Sequence, residues 1–127
     1  MAEAPYSVVY NGVNLKVIKW NLKHTTDPAF DQRVGQPYIY PGRYPDKSVQ
    51  VYGTFGAGIV KLEGSNEVVA APTSWISLNN SLGAELSFAT ATKRVVTILE
   101  NTYQVRPEFT TLAADVDVIV YLLIRGK

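Results

Sequence analysis

The sequence predicts an all-β fold: an antiparallel β-sandwich, jelly-roll-like, with an extended N-terminal arm. Alternation of apolar and polar residues with a period of two recurs through most of the chain, marking half-buried strands. β-Branched and aromatic residues fill these runs, and clusters of Gly, Pro and Asn separate them. Helical signals are poor: the best candidate, Phe30 to Val34, is too short to be more than a turn, because nucleating a helix costs more than so few residues repay. At 127 residues the chain is near the usual size of one domain. It has no cysteine, so it must fold without disulfides or a zinc-thiolate site.

The clearest runs are KSVQVYGTF and GIVKLEGS. In the first, Val49, Val51, Gly53 and Phe55 face one way and Ser48, Gln50, Tyr52 and Thr54 the other. In the second, Val60 and Leu62 oppose Lys61 and Glu63. Phe55-Gly56-Ala57-Gly58 joins them, with glycines suited to the positive φ of a tight loop, and a β-hairpin is expected here. The last strand, VDVIVYLLIRGK, puts Val116, Val118, Val120, Leu122 and Ile124 on one face. Its other face, through Ile119, Tyr121 and Leu123, turns apolar midway, as in a strand that is central or covered by another chain. Further strands are expected around Val13 to Leu22, Trp75 to Leu78, Arg94 to Glu100 and Gln104 to Thr110. Pro107 suggests an edge or a bulge in the last of these. Asn79 to Gly83 and Leu112 to Asp115 read as connections.

Residues 35 to 45, GQPYIYPGRYP, hold three of the seven prolines and three of the eight tyrosines. Proline disfavours both helix and a central ladder position, so the segment reads as irregular and extended. It is expected to tie an N-terminal arm to a compact sandwich, dividing the chain into residues 1–45 and 46–127.

The residue inventory argues against catalysis. The single histidine, His24, lies in KHTTDP, a loop-forming context, and no nucleophile motif accompanies it. His24, Asp27 and Asp31 fit no standard ligand spacing, so no metal and no cofactor are expected. The glycines of YGTFGAGIV precede a strand and not a helix, and so do not form a phosphate loop. Asp115 and Asp117 share a strand face but most simply keep an edge soluble. A net charge of +1 gives no field to gather nucleic acid or anionic membrane. The N-terminal residues lack a signal-peptide pattern, and no apolar run reaches the roughly 18 residues a membrane helix needs. A chain made in the cytoplasm and soluble is expected.

Aromatic residues are the remaining functional signal, since exposed rings bind sugars, bases and protein partners. Trp75 in TSWISL reads first as core, with Ile76 facing the other way. Tyr38, Tyr40 and Tyr44 in the proline-rich segment, with Arg43 and with Trp20, are the candidate partner contacts. Only Arg43 and Lys47 are basic and close to these rings, too few for a nucleic-acid surface. A carbohydrate-binding or adhesion module is the alternative that the same rings suggest.

The succession VQVYGTFGAGIVKLEGSNE, TSWISLNN, LGAELSF, VTILENTYQVRPEFT and VDVIVYLLIRGK resembles small β-sandwich proteins found among tailed-phage virion genes, commonly taken as head-decoration or cement proteins. The resemblance covers about two thirds of the chain, and its most specific pieces are GTFGAG, LEGSN and VRP. It implies a virion protein assembled in the host cytoplasm, with no catalytic residues. It further implies a homo-oligomer, a trimer, whose arm lies across the major capsid protein or other virion proteins. Placement at the tail or neck is an alternative, because a sandwich fold does not fix the role.

Overall fold

The structure, a computed structural model, describes residues 3–25, 31–42, 44–90, 95–110 and 115–126. These contain no helix. Their strands in chain order are β1 (Glu3–Ala4), β2 (Tyr6–Asn11), β3 (Leu15–His24), β4 (Asp31–Gln32), β5 (Val34–Gly35), β6 (Tyr38–Ile39), β7 (Asp46–Thr54), β8 (Val60–Ser65), β9 (Ile76–Ser77), β10 (Ser87–Phe88), β11 (Val96–Thr97), β12 (Gln104–Phe109) and β13 (Val116–Arg125).

One sheet runs β11-β7-β13-β3-β2, with β4 added to β3; the other runs β1-β5-β12-β8-β10, with β6 on β12 and β9 on β8. Every pairing is antiparallel except that of β1 with β5. The two inner faces meet in one apolar core, as in a β-sandwich. Trp20 of β3 packs close to Gly35 of β5 and, with Pro107 of β12, fills the space a side chain at Gly35 would need.

Strand phases follow the sequence pattern. Val49, Val51 and Phe55, Val60 and Leu62, and the alternating set from Val116 to Ile124 are all buried. β13 is central, pairing along its length with β3 on one side and β7 on the other. The Asn79 to Gly83 turn forms as expected: Asn80 Oδ1 accepts from the amides of Leu82 (2.9 Å) and Ala84 (3.0 Å).

Four expectations need correction. First, β7 and β8 are not a hairpin: β7 pairs with β13 and β11, whereas β8 belongs to the opposite sheet. The Phe55–Gly58 segment does turn tightly, with positive φ at Gly56 and Ala57 and Gly58 N donating to Phe55 O at 2.9 Å. The turn carries the chain across the core, and Gly58 lies so close to the Phe109 ring that no side chain fits between them. Secondly, the described residues of 1–45 supply strands to both sheets, and so belong to the sandwich. Ile18, Trp20 and Leu22 of β3 are fully buried. That burial is worth about 1.5–3 kcal/mol per large apolar side chain and gives the segment its place.

Thirdly, of the edge or bulge that Pro107 suggests, the edge does not hold, since β8 flanks one side of β12 and β5 and β6 the other; the register does shift by one residue between β6 and β5, beside Pro107. Leu62, opposite Pro107, turns its amide and carbonyl towards Leu86 and Leu78, away from β12. Pro107 therefore turns its own nitrogen to the other side, into the gap between β6 and β5, where no ladder bond is lost. Fourthly, Trp75 is half-buried on the outside of the sheet and not in the core. The Arg106 guanidinium lies 4.1 Å from its ring centre, and its indole N–H donates to Pro72 O at 3.1 Å.

Candidate functional site

The proline- and tyrosine-rich segment is held against the sandwich by an aromatic chain. Trp20 meets Tyr6 edge-on at 6.4 Å between ring centres, Tyr6 meets Tyr38 at 5.1 Å, and Tyr38 meets Tyr40 at 5.9 Å. Such edge-to-face pairs add about 0.5–1.5 kcal/mol each beyond area burial. Trp20 Nε1 donates to Gln36 O at 2.9 Å, and Gln36 N to Ala4 O at 2.7 Å, fixing the entry to the segment. Beyond it, Tyr40 N donates to Tyr103 O at 3.3 Å.

The sequence-predicted contact residues are thus divided. Trp20 and Tyr38 are buried in the core. Tyr40 and Tyr44 are half-buried and line a solvent-open groove of about 720 Å³, with Gly42, Pro45, Lys47, Asn101 and Thr102. Arg43 lies outside the described residues. Lys47 is the residue that the aromatic inventory passed over, although the alternation signals it: it shares the inward phase of Val49 and Val51. It is 3% exposed, unusual for lysine. Its Nζ donates to Tyr44 O (3.2 Å) and to Asn101 Oδ1, and it stands 5.6 Å from the Tyr40 ring centre.

Burial controls the proton equilibria here. It pushes the Tyr38 phenol up to about 12, helped by the neighbouring Tyr44 and Tyr6, and it raises Tyr40 further, helped by Tyr38. It lowers the Lys47 ammonium, against the opposing pull of Asp46. Both phenols keep protons in the fold that the unfolded chain loses above pH 10.0, so their contribution to stability is present below that pH and is lost as pH climbs towards about 12. Thermal unfolding midpoints are expected to fall across that window, and less steeply in Tyr38→Phe. An unchanged slope in the variant would contradict this.

The Tyr40 hydroxyl is buried with no hydrogen-bond partner. Deleting it removes an unmet polar group, so Tyr40→Phe is expected to match or exceed the wild type in stability, by up to about 1 kcal/mol. A clear drop in denaturant midpoint would show that the hydroxyl is satisfied in solution.

A second surface lies on the outside of the β11-β7-β13-β3-β2 sheet. Val9, Val17, Val95, Tyr121 and Leu123 line a shallow depression of about 340 Å³, bounded by Ser48 and Gln50. Val8, Val9 and Tyr10 of the edge strand β2 are each about half exposed. The apolar outer face of β13 marked this surface in the sequence; the contributions of β2 and Val95 depend on pairing that the sequence does not spell out.

The outer face of the other sheet carries charge. Arg106 bridges Glu63 (3.1 Å) and Glu108 (3.6 Å) under the Trp75 ring. Burial, and then the nearby Glu108, raise the Glu63 carboxyl despite Arg106. Asp117 lies on the surface 3.9 Å from Lys23. Asp27, considered above with His24, lies outside the described residues, among which no group of three or more metal-ligating side chains occurs. No helix among them is long and apolar enough to cross a membrane.

No family model matches this sequence, and no curated protein matches it.

Proposed function

We propose that this chain is a structural virion protein of a tailed phage, a head-decoration or cement protein that works by shape-complementary contact and not by catalysis. The observation that carries the proposal is the apolar outer face of the β11-β7-β13-β3-β2 sheet, where exposed Val9 and Val95 stand together with half-buried Val17, Tyr121 and Leu123. A sandwich needs only its inner faces for its own core, and an apolar patch on an outer face serves association. The likeness of the GTFGAG, LEGSN and VRP segments to phage sandwich proteins supplies the class of partner: the major capsid protein, other virion proteins, or further copies of the chain as a trimer.

Val9→Asp combined with Tyr121→Glu is expected to leave the fold intact and to abolish co-sedimentation with phage heads. Undiminished co-sedimentation of the double variant would overturn the proposed surface. Binding to isolated tails and not to heads would move the protein to the tail or neck. The carbohydrate-binding alternative draws little support from the rings: Trp20 and Tyr38 are buried, and Arg106 covers one face of Trp75.

A further inference from the structure

The groove beside the proline- and tyrosine-rich segment holds an electrostatic imbalance. The Lys47 ammonium is withdrawn from water, yet its acceptors among the described residues are two neutral oxygens, Tyr44 O and Asn101 Oδ1. No carboxylate among those residues forms an ion pair with it; Asp46, the neighbouring acid, is itself exposed. An ammonium has three protons to donate, so one remains after these two bonds. Tyr40, against whose ring Lys47 stands, adds a buried hydroxyl with no partner. Both unfulfilled donors belong to side chains that line one groove.

We infer that this groove binds a carboxylate-bearing ligand, whose anion accepts from Lys47 Nζ and the Tyr40 hydroxyl while its carbon body rests on Tyr40, Tyr44 and Pro45. A carboxylate supplies the two things the site lacks, a negative charge for a desolvated cation and an acceptor for a phenol. The cavity, about 720 Å³, is within the roughly 300–1,000 Å³ of ligand-sized clefts. One cation and one phenol suit a monoanion. A phosphate dianion would need further donors, and the nearby amide and hydroxyl are engaged, Asn101 by Lys47 and Thr102 with Gln104 O at 2.9 Å. The inference stands apart from the virion proposal, because it concerns binding to the isolated chain.

Two probes share the carboxylate and distinguish its source: benzoate, for a free small acid, and a capped Ala-Asp-Ala peptide, for the acidic side chain of a protein partner. Benzamide is the uncharged control. In NMR titrations of the intact protein, at least one carboxylate is expected to shift the Lys47 side-chain and Tyr40 ring signals, and benzamide is not. A bound anion stabilises the ammonium, so the Lys47 pKa, lowered in the free protein by burial, is expected to rise on saturation. A purely structural lysine would show no such rise. Tyr40→Phe, expected to fold at least as well as the wild type, should weaken binding by about tenfold, the cost of one charge-assisted hydrogen bond. Lys47→Met should abolish it; should that variant not fold, the wild-type titration and Tyr40→Phe still decide. Shifts with benzamide equal to those with benzoate, absence of any carboxylate-dependent shift at Lys47, or undiminished affinity in Tyr40→Phe would each overturn the inference.

Discussion

A chain beginning at residue 46 is expected not to fold. Its removal of β3 strips β13 of a partner paired from Val116 to Arg125 and takes Ile18, Trp20 and Leu22 from the core. Those three side chains alone represent about 1.5–3 kcal/mol each. A domain's whole stability is about 5–15 kcal/mol, so their loss, with that of Ala4 and Tyr38, consumes most of it. The exposed flank of β13 would also present unpaired backbone groups to other chains. Circular dichroism and an amide NMR spectrum of residues 46–127 should show no cooperative unfolding transition and poor dispersion. A truncated chain that melts cooperatively within a few degrees of the full protein would mean that the first 45 residues are dispensable after all. The consequence for function is direct: loss of capsid binding on truncation would report unfolding, whereas the Val9 and Tyr121 substitutions leave the core untouched.

What the sequence makes legible is the face that each residue occupies. Alternation assigns Val49, Val51, Val60, Leu62 and the inner set of β13 to the interior, and each is buried. It does not encode which strand lies alongside. A Phe-Gly-Ala-Gly turn with positive φ can close a hairpin or lead from one sheet to the other, and here it crosses. The choice is made by long-range contacts such as that of Gly58 with the Phe109 ring, far apart in sequence.

The proline-rich segment misleads for a related reason. Prolines mark it correctly as irregular, but its tyrosines are read together as partner contacts, whereas edge-to-face contact with Tyr6, and through it Trp20, draws Tyr38 inward. Only Tyr40 and Tyr44 of the expected set reach the groove. Lys47 was available from the same parity argument as Val49. A lysine at an inward position is easily discounted as a strand-end residue, and its partners Tyr44 O and Asn101 come from segments whose proximity only the fold reveals.

Gly53→Val is expected to destabilise the protein by about 3 kcal/mol or more, the sum of backbone strain and overpacking. Gly53 sits within β7 opposite Val118 of β13 with φ at +133°, a conformation that side-chain-bearing residues rarely adopt. A Cβ there would stand 2.2 Å from Asp117 O and 3.0 Å from Val118 Cα. Those atoms are backbone of the central strand, so no side chain can rotate away to make room; relief requires β7 and β13 to separate where the Phe55–Gly58 crossing begins. Gly83 is the internal contrast: it too has positive φ, +83°, but a Cβ would meet nothing within 4 Å. Gly83→Ala should therefore cost only about 1–2 kcal/mol of conformational strain. Denaturant midpoints of the two variants separate the causes, because both bear φ strain and only Gly53 meets packed backbone. Equal losses at the two positions would mean that strain alone acts and that the close approach of β7 to β13 relaxes freely.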